Sequence, residues 1–134
     1  AGEADGPLSV INAINLGAKR IGHGVRAIES EKALKLIKEK NITLEVCPKS
    51  NLDTNMYEKL SNHPIKKLYD MGLLVTINTD NRTVSNTNLT KSYQDLQEVF
   101  SFTKQDFLKM NENALQSAFL NQEEKEHLLA LLHK

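Results

Sequence analysis

The sequence has no tryptophan, a single cysteine, three prolines, six glycines and only 5% aromatic residues. One cysteine, Cys47, excludes an internal disulfide and a multi-thiolate zinc site, and it fits a reducing compartment. Seventeen Lys and Arg against seventeen Asp and Glu leave a formal net charge of +0. No global field is therefore available to draw in nucleic acid or an anionic membrane. No apolar run approaches the roughly 20 residues that cross a bilayer, and no basic segment followed by an apolar one opens the chain. These absences predict a cytoplasmic protein whose partner is a small molecule. What is present is ordinary for one globular domain: 134 residues, 40% hydrophobic and 25% charged. The opening Ala1-Gly-Glu-Ala-Asp-Gly-Pro7 lacks an initiator Met and has the polar make-up of a site loop, so the chain is expected to be a piece of a longer one.

Apolar periodicity divides the chain. Pro7 stands at a first helical position before Leu8, Val10, Ile11, Ile14 and Leu16, and Gly17 stops that helix. Lys19-Arg-Ile-Gly-His-Gly24 predicts a short strand entering a tight turn. Ser30 is an N-cap for a second helix through Lys40, with Ala33, Leu34 and Ile37 as its buried stripe. Ile42 to Cys47 predicts a strand halted by Pro48, followed by a loop over Lys49 to Asn55. His63, as an N-cap, and Pro64 open a helix with the stripe Ile65, Leu68 and Tyr69, closed by Gly72 before the strand Leu73 to Asn78. Alternating helices and near-continuous apolar strands predict an α/β fold with a parallel sheet. Beyond Leu89 the pattern is wholly helical: Leu89 to Phe100, Lys104 to Phe119 and Gln122 to His133, with Thr103 and Asn121 as caps.

In such folds reactive groups gather on loops that follow the C-terminal ends of strands. Glu3 precedes the first helix, and so stands at the end of a strand whose body lies outside the chain. His23 ends the second strand, Cys47-Pro-Lys-Ser-Asn51 the third, and Asp80-Asn81 the fourth. Each has a plain structural reading. Glu3 suits a helix N-terminus, His23 could be held in a turn, Asp80 is a turn former, and Cys47 is a small buried hydrophobe. His63, His127 and His133 are assigned no chemistry. Together, an acid, an imidazole and a second carboxylate at successive strand tips converge on one mouth. That set suits a divalent metal, an activated water and a proton carrier. Three Asn-X-Ser/Thr triplets, at Asn41, Asn81 and Asn88, are short enough to arise by chance.

Ala1-Gly-Glu3, Arg20-Ile-Gly-His-Gly24, Leu44-Glu-Val-Cys-Pro48 with Ser50-Asn51, His63-Pro64-Ile65 and Val75-Thr-Ile-Asn-Thr-Asp80 resemble, in order and spacing, the C-terminal half of adenosine deaminase. That family belongs to the metal-dependent amidohydrolases, and Asn78 to Thr87 is similar to its bacterial branch. The resemblance implies that residues 1–134 are the C-terminal half of one (β/α)8 TIM barrel with extra C-terminal helices. It implies Zn2+ at the barrel mouth and conversion of adenosine to inosine and ammonia in purine salvage. Glu3 resembles the residue that protonates purine N1. His23 resembles the imidazole that orients the zinc-bound water, and Asp80 the carboxylate that ligates zinc and accepts a hydrogen bond from that water.

Two departures qualify the resemblance. Much of the family has a second Asp where Asn81 stands, contacting purine N7; an Asn amide is a donor without any change of protonation, so Asn81 is expected to keep that contact. The family also takes zinc ligands from a His-X-His pair and from a His directly before Ala-Gly-Glu, and none of these lies in this chain. Asp80 alone cannot hold zinc usefully, so the isolated chain is expected to be inactive, with strand edges needing the N-terminal half or another copy. A non-catalytic self-associating fragment, or a deaminase of adenine or of an N6-substituted adenine nucleotide, are the alternatives.

Overall fold

A computed structural model describes residues 1–134. Three strands, β1 (Arg20–Gly22), β2 (Thr43–Val46) and β3 (Leu74–Ile77), form one sheet in the order β1-β2-β3. Both pairs are parallel, with Ile21 opposite Leu44 and Leu44 opposite Val75. A sheet of parallel neighbours needs a crossover between each pair. The first is α2 (Glu31–Glu39), capped by Ser30, whose side chain accepts from the Ala33 N–H. The second holds α3 (Pro48–Asp53) and α4 (Ile65–Asp70). Before β1 lies α1 (Pro7–Asn15), and after β3 come α5 (Leu89–Phe100), α6 (Lys104–Ser117) and α7 (Gln122–Leu132). The caps expected at Thr103 and Asn121 both form, each as a capping box, with Asp106 and Glu124 respectively.

The strands are two-faced where near-continuous apolar runs were expected. Ile21, Leu44, Val46, Val75 and Ile77 are buried in a single core with Val10, Ile37, Ile65, Leu68, Leu96 and Met110 from the helices. The alternate positions carry Arg20, Thr43, Glu45 and Thr76, as the period-2 geometry of a strand requires. On that second face Arg20 and Glu45 form an ion pair between β1 and β2. Buried Asn113 of α6 donates to the Val75 carbonyl at 3.2 Å, fixing the last long helix against β3. This is part of a barrel wall: an apolar face under helices, a second face on which Thr43 and Thr76 are buried and Arg20 and Glu45 partly exposed, and strand C-termini at one rim.

The stretch 48–55 corrects the expectation of a loop there. Pro48 occupies a first helical position, where its missing N–H costs nothing, and α3 runs to Asp53 with Ser50 and Asn51 buried. Helix α4 begins at Ile65, with Pro64 rather than His63 as its N-cap residue.

Candidate active site

The groups at the strand tips meet. Ala1 bonds along the rim of β1: its amino group donates to the Gly22 carbonyl at 3.1 Å and its carbonyl accepts from the Gly24 N–H at 2.9 Å, the bonding pattern of a parallel pair. Arg26 donates to the Ala4 carbonyl at 2.8 Å while paired with Glu29, which fastens the segment that bears Glu3. Glu3 Oε1 then lies 3.5 Å from His23 Nδ1, and His23 Nε2 lies 3.7 Å from Asp80 Oδ2.

His23 and Asp80 both have left-handed backbones, with φ of 66° and 58°. A non-glycine residue there costs about 1–3 kcal/mol and persists where its surroundings over-determine it. Gly24, also left-handed at φ +70°, has no such freedom to spare: a Cβ would stand 2.7 Å from Leu44 Cδ2. The turn after β1 is therefore pressed on the core, and this aims His23 across the rim.

Helix α3 supplies the groups that hold these side chains. Ser50 Oγ donates to Asp80 Oδ2 at 2.8 Å. Asn51 Nδ2 donates to Glu3 Oε1 at 2.9 Å and lies 3.2 Å from His23 Nδ1. Behind Asn51 stands His63, only 3% exposed, with Nε2 3.1 Å from Asn51 Oδ1 and Nδ1 accepting the Ile65 N–H at 3.1 Å. Burial lowers the His63 pKa to about 4, so this ring is neutral. His63, to which the sequence alone assigns no chemistry, is joined to Glu3 and His23 through Asn51. Pro48 followed by Ser and Asn was the usable signal, because a helix begun at a strand end turns its first residues toward the rim.

His127 and His133 lie away from the strand tips on the C-terminal helix and its cap, His133 paired with Glu112 at 3.0 Å. Asn81 is exposed, and its Oδ1 accepts the N–H groups of Thr83 and Val84 at 3.1 and 3.0 Å. Its carboxamide oxygen is thereby fixed and its Nδ2 makes no hydrogen bond within the chain. Cys47 is buried; desolvation, with Asp80, Glu3 and Glu45 nearby, pushes its thiol up to about 12.

One atom each of His23, Cys47 and Asp80 lies within 4.8 Å of the others. Asp80 is an oxygen donor half-open to solvent, a group of the kind that zinc accepts, and a metal held here would need further ligands to complete its shell.

Sequence and structure comparisons agree on the relationship. The profile of the family described as adenosine deaminase matches residues 1–134. An adenosine deaminase from Shewanella woodyi is 42% identical over 132 residues, 98% of this chain and 40% of that protein. A solved adenine deaminase from Arthrobacter aurescens superposes with a TM-score of 0.95 at 26% identity, over 99% of this chain and 41% of that one. An amidohydrolase from Burkholderia ambifaria with bound zinc superposes at 0.87 and 23% identity, again over 99% of this chain and 38% of the other, and shows the same fold. The chain thus spans about 40% of the length of the relatives it matches.

Proposed function

The chain belongs to the adenosine deaminase family, and from that premise we propose that the protein carrying it hydrolyses adenosine to inosine and ammonia, with residues 1–134 as the C-terminal part of one barrel domain. The observation that carries this reading is the contact of an acid, an imidazole and a second carboxylate, Glu3 to His23 at 3.5 Å and His23 to Asp80 at 3.7 Å, on three strand-end loops.

Asp80 would hold zinc, with the other ligands from residues outside this chain. When bound, that metal supplies a water acidic enough to attack near neutral pH. Glu3 gives a proton to purine N1 and draws electron density off C6. His23 faces the attacking oxygen and stabilises charge that develops on it, while Asp80 accepts a hydrogen bond from the same water. Water adds at C6; as C6=O forms the C6–N bond breaks, one of the water's protons leaves with the amino group as ammonia, and the other restores the proton that Glu3 gave to N1. Asn81, its oxygen fixed by two backbone N–H groups, offers Nδ2 to the acceptor N7. Adenosine is preferred over adenine because the relative at 42% identity is named adenosine deaminase, whereas the adenine deaminase is 26% identical.

The 134-residue chain by itself would be inactive, since zinc sites use three or four protein ligands and, on this reading, Asp80 is the one that this chain supplies. Strands β1 and β3 each pair on one side only, so their other edges require the remainder of the barrel or a second copy. Deamination of adenosine, adenine and N6-methyl-AMP, with zinc analysis, tests the reading on the full-length protein and on this chain. Adenosine should be the preferred substrate of the full-length protein alone. Turnover with one equivalent of zinc in the 134-residue chain would overturn the second claim, and no turnover in either would leave a non-catalytic self-associating fragment.

A further inference from the structure

We infer that His63 is a positioning residue: it fixes the Asn51 carboxamide, and through it holds His23 in the tautomer that carries its proton on Nε2. The inference begins at a backbone N–H, whose polarity cannot reverse. Ile65 N–H donates to His63 Nδ1 at 3.1 Å, so Nδ1 bears the lone pair and the ring proton is on Nε2. That proton faces Asn51 Oδ1 at 3.1 Å, which makes Oδ1 the acceptor and places the two amide hydrogens on the opposite side. There Asn51 Nδ2 meets Glu3 Oε1 at 2.9 Å, His23 Nδ1 at 3.2 Å and, farther off, Met56 Sδ at 3.7 Å; the amide stands closer to His23 Nδ1 than the competing Glu3 carboxyl oxygen does at 3.5 Å. A donor against His23 Nδ1 requires a lone pair on that nitrogen, and the proton of a neutral His23 must sit on Nε2, the atom 3.7 Å from Asp80 Oδ2.

The alternative orientation of Asn51 is costly at the His63 end, where it would set Nδ2 against the His63 N–H. That position is enclosed: Asn51 is fully buried and His63 is 3% exposed, with the Tyr57 ring at 5.0 Å packing on the imidazole. An unpaired polar group in such a place costs about 1–3 kcal/mol. Each link therefore has one low-energy direction, and the chain of bonds transmits it over four residues. The chemical consequence is specific. His23 presents an N–H to the reaction side, so in the resting protein it donates to the attacking oxygen and is not the base that deprotonates it.

The test uses the full-length protein with its histidines labelled with 15N, the His23 signals being assigned by their loss in His23→Gln. In the unsubstituted protein, His23 Nδ1 should resonate as an unprotonated nitrogen and Nε2 as a protonated one. Asn51→Asp is isosteric and still accepts from His63, but it turns a second acceptor toward His23, so the proton should move to Nδ1. His63→Phe keeps the volume and removes the link, and should give a mixture of tautomers. His63→Gln can accept from Ile65 N–H and donate to Asn51, and should restore the original one. The rate arm rests on the proposed deaminase reading: kcat should fall about 10- to 100-fold in Asn51→Asp and His63→Phe, and His63→Gln should recover most of it. Nδ1 protonated in the unsubstituted protein, or a tautomer indifferent to His63→Phe, overturns the inference. Should Asn51→Asp fail to fold, the Phe and Gln pair at His63 decides. The expected tautomers without deamination would refute the proposed function and leave the relay standing.

Discussion

Ser50 donates to Asp80 Oδ2 at 2.8 Å, across thirty residues of chain and between helix α3, which follows β2, and the loop that follows β3. The bond orients a carboxylate whose backbone is left-handed at φ 58° and whose side chain is 43% exposed, so nothing but a few contacts determines where its oxygens point. If Asp80 holds zinc as proposed, Ser50→Ala should weaken zinc binding by the full-length protein about 10- to 100-fold and change folding stability by about 1 kcal/mol. Competition with a chelator, beside urea unfolding, separates the two. Unchanged zinc affinity would remove Ser50 from the metal environment.

His63 gives the stability a pH dependence of defined sign. Its pKa falls from 6.5 in an unfolded chain to about 4 in the folded one because burial penalises the imidazolium. Between these values the unfolded state binds a proton that the folded state does not, so stability falls as pH falls from about 6.5 to about 4 and the effect levels off below that. The shift corresponds to roughly 3 kcal/mol, present in full above the unfolded pKa. Urea unfolding of the full-length protein and of His63→Phe at several pH values should show a slope over that window in the first and a smaller slope in the second. Parallel slopes would mean that the buried ring is not protonated on unfolding.

The residues proposed to carry the chemistry stand at fixed places in a repeating pattern: His23 and Asp80 each follow an apolar segment that had to be a strand, and Glu3 precedes the first helix. The parallel order was legible from the same pattern, since helix and strand alternate. The residues that hold them were not. Ser50 and Asn51 sit on α3, whose six residues give too short a window for a helical period to emerge, and a stretch rich in Ser, Asn, Asp and Thr has the composition of a loop. His63 was hidden by its neighbour: before Pro64 a polar residue looks like a cap, and its hydrogen bond to the Ile65 N–H is indeed local. Only the fold brings its other nitrogen to Asn51.

Gly24 is the position where backbone and packing both exclude a side chain. Its φ of +70° disfavours any residue with a Cβ, and that atom would meet Leu44 Cδ2 at 2.7 Å and Ile21 Cγ2 at 3.2 Å. Gly24→Ala should destabilise by about 2–4 kcal/mol, from strain at a left-handed backbone together with overpacking of a closed core. Because His23 is the preceding residue, activity of the folded fraction should fall as well. Thermal unfolding with a rate measured below the transition gives both; a loss under 0.5 kcal/mol would show that the turn yields at little cost.

Asn81 separates a turn-forming role from a substrate-binding one. Its Oδ1 accepts from Thr83 and Val84 N–H, so Asn81→Leu removes the turn bonds and the proposed N7 donor together, whereas Asn81→Asp keeps the acceptor and loses the amide hydrogens. Damage to the turn lowers kcat/KM on every substrate by the same factor. Loss of the N7 contact lowers it only where N7 exists, by about 10- to 100-fold for a buried hydrogen bond worth roughly 1–3 kcal/mol. Comparing adenosine with 7-deazaadenosine cancels the first effect. For Asn81→Leu the preference for adenosine should collapse, and Asn81→Asp should recover it only at pH values low enough to protonate the new carboxylate. Equal losses on both substrates in Asn81→Leu would confine Asn81 to the turn.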